Sequence, residues 1–148
     1  MAKYTSIWHW ILGVYFVALA LVGFWPTPVD QPAQGTLDRF LTFLHNHGAP
    51  FWFNYQFVEA AANVLLFVPV GLAGTLAFVS KKRWHIAVLG VCASMSMEAG
   101  QLIFLDRRFP SLLDVVTNVS GTLIGIHLAS IFQRALVNRR FNDEGKLL

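Results

Sequence analysis

The amino-acid sequence predicts an all-α integral membrane protein: one domain, residues 1–148, built as a four-helix bundle with a short amphipathic outer helix between the first and second spans. Three observations carry this. Mean hydropathy is +0.54 and only 13% of residues are charged, too few to solvate the surface of a soluble domain of this length. Four apolar segments, at about 7–25, 57–79, 85–105 and 112–132, each approach or exceed the ~18 to 20 residues needed to cross ~30 Å of hydrocarbon. The basic residues of the short loops are also unevenly shared between the two ends of these segments.

The first segment carries Trp8, Trp10 and Trp25 near its two ends, as an anchored span does. Lys3, the apolar run and the Ala18-Leu19-Ala20 triplet loosely imitate a cleavable signal peptide. The run continues past the triplet to Trp25, which favours a retained span. Two prolines, Pro26 and Pro28, then stop the helix. In the long connection that follows, Leu37, Phe40, Leu41 and Leu44 recur at i, i+3, i+4 and i+7, with Thr36 as N-cap and Gly48 near the stop. Such a helix lies on the outer leaflet, and Phe51-Trp52-Phe53-Asn54-Tyr55 forms an aromatic belt at the same interface.

Lys3, Lys81, Lys82, Arg83, Arg134, Arg139, Arg140 and Lys146 fall on one side of the four spans, and Arg39, Arg107 and Arg108 on the other. The positive-inside rule therefore makes both termini cytoplasmic. The charged tail, 134–148, extends the last helix into the cytoplasm and frays. Pro69 removes the donor to the Leu65 carbonyl, which should kink the second span and open space beneath Asn63. Gly121-x-x-x-Gly125 lets the fourth span approach a neighbour closely, and copies of the chain could associate through the same face.

Polar residues concentrate in the outer half of the bundle. On the second span Glu59 and Asn63 are four residues apart, about 40° apart in projection, and share a face. The third places Glu98 and Gln101 there, with Ser94 on the same side. The fourth adds Asp114 and Asn118 at i, i+4. A charged side chain at the bilayer centre costs ~2.5 to 3.5 kcal/mol on insertion scales, so such residues face the bundle interior, pair, and mark function. Interhelical hydrogen bonding, at ~0.6 kcal/mol per pair, is the structural alternative. Arg108, on a loop where arginine opposes the charge bias, is placed to fold back over the carboxylates or to grip a phosphate or carboxylate ligand.

Other motifs are excluded or set aside. His45-x-His47 looks like a metal pair, but no third ligand adjoins it. His127 projects about 180° from Asn118 and does not join the cluster. A divalent cation among Glu59, Glu98 and Asp114 would have suitable hard oxygen ligands, but Arg108 supplies balancing charge, so no metal is expected and no cofactor is specified. The single cysteine, Cys92, excludes an intrachain disulfide. The net charge of +3 does not indicate nucleic acid, because the cations form no stripe interleaved with stacking aromatics.

The run Asn63-Val64-Leu65-Leu66-Phe67-Val68-Pro69-Val70-Gly71, followed by Glu98-x-x-Gln101, Arg108 and Asp114-Val115-Val116-Thr117-Asn118-x-x-Gly121-x-x-x-Gly125, resembles the VanZ-like family. The likeness extends from Ile7 to about Phe132. The first member of that family is linked to resistance to the glycopeptide teicoplanin. The connection Trp25-Pro26-Thr27-Pro28-Val29-Asp30 resembles versions from high-GC Gram-positive bacteria, which implies a bacterial cell membrane. The resemblance carries no established reaction, substrate or cofactor.

Two functions follow as expectations. In the first, an envelope factor uses an outward-facing pocket of Glu59, Asn63, Glu98, Gln101, Arg108, Asp114 and Asn118 to bind a lipid headgroup, a lipid-linked cell-wall precursor or a glycopeptide. In the second, an intramembrane enzyme acts on a lipid-linked substrate with Glu98 or Asp114 as general base. An ion carrier would need polar groups through the inner half, where the second and fourth spans offer little beyond Thr75, Thr122 and His127.

Overall fold

The computed structural model describes residues 2–24, 34–105 and 111–144, with side chains at 5–24, 35–105 and 111–136. Every element in these residues is an α-helix: α1 (Ala2–Gly23), α2 (Gln34–Asn46), α3 (Tyr55–Ala77), α4 (Arg83–Phe104) and α5 (Leu112–Glu144). Four contain stretches long and apolar enough to cross a membrane, Thr5–Gly23, Tyr55–Ala77, Arg83–Phe104 and Leu112–Leu136. The Trp25 to Asp30 connection lies outside the described residues.

Local chemistry sets the helix ends. The Asn54 side chain caps α3 by accepting the Phe57 N–H at 3.1 Å, which starts the helix ahead of its first apolar run. Helix α2 begins at Gln34, so Thr36 is not its N-cap; Gln34 and Gly35 are already helical. Its end is as expected. Gly48 adopts φ 95° and its N–H reaches the His45 carbonyl at 3.1 Å, a left-handed stop that glycine reaches without strain. Helix α5 runs well beyond its apolar segment because no glycine or proline interrupts 126–144.

Helices α3 and α5 form the centre of the bundle. They run parallel, in register, with backbones touching: a Cβ added at Gly121 would strike the Val64 carbonyl, and one at Gly125 the Val68 carbonyl. From the other side, a Cβ at Gly71 would strike the Thr122 carbonyl. Lipid removes most of the hydrophobic drive between helices, so this proximity, with its dispersion contacts, is what holds them. The glycine face is therefore covered by α3 of the same chain, and any association between copies falls to other surfaces.

Helix α4 is antiparallel to α5 and uses the same device: a Cβ at Gly90 would lie 2.5 Å from Thr122 Oγ1. Helix α1 is peripheral, with 17% of its apolar window buried against 44% for α3 and α5. It is fastened by Leu19, which packs with Phe67 and Val70, and by the Tyr15 hydroxyl, which donates to the Leu66 carbonyl at 2.7 Å. That carbonyl neighbours the one at Leu65 that Pro69 deprives of its donor. Phe67, one turn below Asn63, and Val70 are fully buried. Trp10, Val14, Leu65, Met95, Ile103 and Leu123 point outward, as lipid-facing residues must.

The His9 and Phe78 rings meet at 4.8 Å, so the start of α1 and the end of α3 share one end of the bundle. The Lys81-Lys82-Arg83 turn lies at that end too. If this end is cytoplasmic, as the basic loops predict, a reporter fused after Leu148 should be cytoplasmic and one inserted near Gln34 external. In a Cys92→Ala background, a Lys82→Cys substitution should resist a membrane-impermeant thiol reagent in intact cells. Labelling there would reverse the orientation.

Candidate functional site

The opposite end of the bundle is built around the start of α5. Ser111 precedes the helix, its carbonyl accepts the Asp114 and Val115 N–H groups at 3.1 and 3.3 Å, and its Oγ lies 3.4 Å from the Asp114 nitrogen. Ser111-x-x-Asp114 is thus a capping-box sequence, in which the acid would ordinarily bond back to the serine N–H. Here that N–H donates to Glu98 Oε2 at 2.8 Å. A buried carboxylate from α4 takes the place of the local one, and its charge complements the positive end of the α5 dipole. Asp114 is half-buried in the first turn.

One turn deeper, Asn118 Nδ2 donates to Ser94 Oγ at 3.0 Å. Both side chains are buried. The pairs Glu98–Ser111, Ser94–Asn118 and Gly90–Thr122 form a ladder between the antiparallel helices, spaced by four residues on α4. Asn118 Oδ1 is enclosed yet has no hydrogen-bond partner among the described residues. Exchanging the amide atoms would only move the unmet capacity to nitrogen. An unsatisfied buried polar group of this kind costs ~1 to 3 kcal/mol.

The other expected residues divide. Gln101 is buried, but its Nε2 donates to the Gly23 carbonyl at 2.9 Å, so it satisfies the end of α1 and ties that helix to α4. The register of α3 on α5 puts Asn63, half-buried, at a depth between Asn118 and Gly121. Glu59 is exposed, one turn farther out. Among the described residues no three His, Cys, Asp or Glu side chains gather to hold a metal ion, so Glu59, Glu98 and Asp114 do not form a triad. Arg108 lies outside the described residues, as do Asp106 and Arg107.

The histidines are accounted for by local contacts. His45 Nε2 bonds the Phe53 carbonyl at 3.1 Å and His47 Nδ1 the Phe43 carbonyl at 2.7 Å, so the two rings serve different partners. His127 is exposed, away from the ladder. Ser111 is the functional-end residue that sequence reasoning missed; the serine three residues before Asp114 was the available signal.

No curated protein and no solved structure matches the chain significantly. The VanZ/LLP1 family model matches residues 12–133, a stretch that contains Tyr15, the glycine contacts of Gly71, Gly90, Gly121 and Gly125, the α4–α5 ladder and the capped start of α5. On this match over most of its length, this membrane-spanning chain belongs to the VanZ/LLP1 family.

Proposed function

We propose that this VanZ/LLP1-family protein is an envelope factor of a bacterial cell membrane that binds the polar headgroup of an envelope lipid, such as a lipid-linked cell-wall precursor, and thereby limits the action of teicoplanin-type glycopeptides. The observation that carries this reading is Asn118 Oδ1, a buried acceptor with no partner among the described residues, one turn below Asp114 and one rung of the ladder below the bond between Glu98 and Ser111. The acceptors supplied by Glu98, Asp114 and Asn118 suit a ligand rich in donors, such as sugar hydroxyls, amide N–H groups or an amine. A donor entering from the outer leaflet would remove the cost of the orphaned oxygen, so ligand binding and bundle stability would be linked.

The test is glycopeptide susceptibility of a sensitive bacterial host expressing the chain, normalised to folded protein in its membrane. Asn118→Leu removes the unmet acceptor, together with the bond to Ser94, in a side chain of the same branching, and Asp114→Asn removes a charge. Both variants should accumulate normally and lose the resistance conferred by the parent chain. Full resistance from both at normal abundance would leave these side chains as structure alone.

A further inference from the structure

The basic end of the bundle contains a cavity of about 150 Å³ that the outer site does not use. Its polar rim is Lys81, Arg83 and Gln133, its apolar walls include Phe78 and Ile86, and among the described residues no acidic side chain lines it. The Thr75 hydroxyl at its base is already committed, donating to the Gly71 carbonyl at 2.7 Å. Lys82, the N-cap of α4, makes no side-chain bond to the first turn of the helix, and Arg83, the first residue of α4, lines the cavity, so the positive end of the α4 dipole lies beside it. Such a concavity, with two cations, an amide donor and a helix start, has the donor set of a phosphate site.

Its depth indicates where the phosphate comes from. Val79, also in the lining, is 61% exposed. Trp84, 58% exposed, stacks on His85 with ring centroids 3.8 Å apart in the first turn of α4. Tryptophan at a helix end beside lysine and arginine marks the headgroup layer, where anionic phospholipids present phosphate. We propose that this cavity binds a phosphate group, that of an anionic phospholipid or of a free phosphate species, through Lys81, Arg83 and Gln133.

The full chain in phosphatidylcholine nanodiscs containing phosphatidylglycerol tests this, with native mass spectrometry reading the lipid that stays bound. Phosphatidylglycerol should be retained in preference to phosphatidylcholine. Lys81→Gln and Arg83→Gln should each weaken retention about fivefold. Val79→Trp, which adds bulk to the lining without changing charge, should abolish it, while Arg134→Gln, outside the lining, should leave it unchanged. All four positions are exposed, so folding, checked by helical circular dichroism, should persist. Inorganic phosphate distinguishes the sources: displacement of the lipid shows that free phosphate enters the same site, and retention against millimolar phosphate assigns the site to lipid. Equal loss from Arg83→Gln and Arg134→Gln with Val79→Trp silent would mean a diffuse cationic surface and overturn the proposal, as would equal retention of the two lipids.

Discussion

Gly125→Leu should remove most of the folded protein from the membrane. A Cβ at this position would strike the Val68 carbonyl and stand 2.7 Å from the Leu72 nitrogen and 3.0 Å from the Gly71 Cα. These are backbone atoms, which cannot swing aside as a side-chain tip does. Helices α3 and α5 would have to separate, and the contacts of Gly121 with Val64 and of Gly71 with Thr122 would be lost together. Overpacking a core commonly costs ~1 to 3 kcal/mol, and an interhelical hydrogen bond in a membrane contributes only ~0.6 kcal/mol, so the polar ties cannot compensate. Gly13 provides the control, because a Cβ there meets nothing within 4 Å. Gly13→Leu should leave abundance and detergent melting temperature unchanged or slightly raised, since glycine within a helix is itself unfavourable. If the two leucine variants accumulated and melted alike, the close crossing would not be what holds the bundle.

The same crossing shows why some features were legible in the sequence and others were not. Spans were readable because the bilayer sets a minimum apolar length, and the structure moves their ends by a few residues where a cap such as Asn54 intervenes. The i, i+4 relation of Asp114 to Asn118 and the alignment of Ser94 with Glu98 were also readable, because helical periodicity fixes which side chains share a face. Which helix covers the Gly121 and Gly125 face was not, since one small-residue stripe suits α3, another span or a second copy equally well. Depth did not reveal exposure: Glu59 is exposed on α3, whereas Glu98 is buried on α4. Gln101 was identified as buried and polar, but its partner is the Gly23 backbone carbonyl, and a backbone acceptor leaves no signature in sequence.

Glu98 separates structural from functional roles most sharply. Glu98→Leu would strip the Ser111 N–H of its acceptor in a buried position, a loss of ~1 to 3 kcal/mol, and would remove the charge facing the α5 dipole, worth a further ~0.3 to 1 kcal/mol. The start of α5 should loosen, with folded protein falling accordingly. Glu98→Gln keeps an oxygen for the 2.8 Å bond to Ser111 and nearly the same volume, so abundance and melting temperature should stay close to those of the parent chain. The carboxamide cannot carry the negative charge or accept through both terminal atoms, as a ligand rich in donors requires. Glu98→Gln should therefore reach the membrane in normal amount and fail to confer glycopeptide resistance, whereas Glu98→Leu should lose both. Should Glu98→Gln retain full resistance, the carboxylate would be a fastening for the α5 N-terminus, and the binding role would pass to Asp114 and Asn118. If instead Glu98→Gln lost abundance as Glu98→Leu does, the charge itself would be what secures α5, through an electrostatic contribution larger than an exposed helix dipole ordinarily gives.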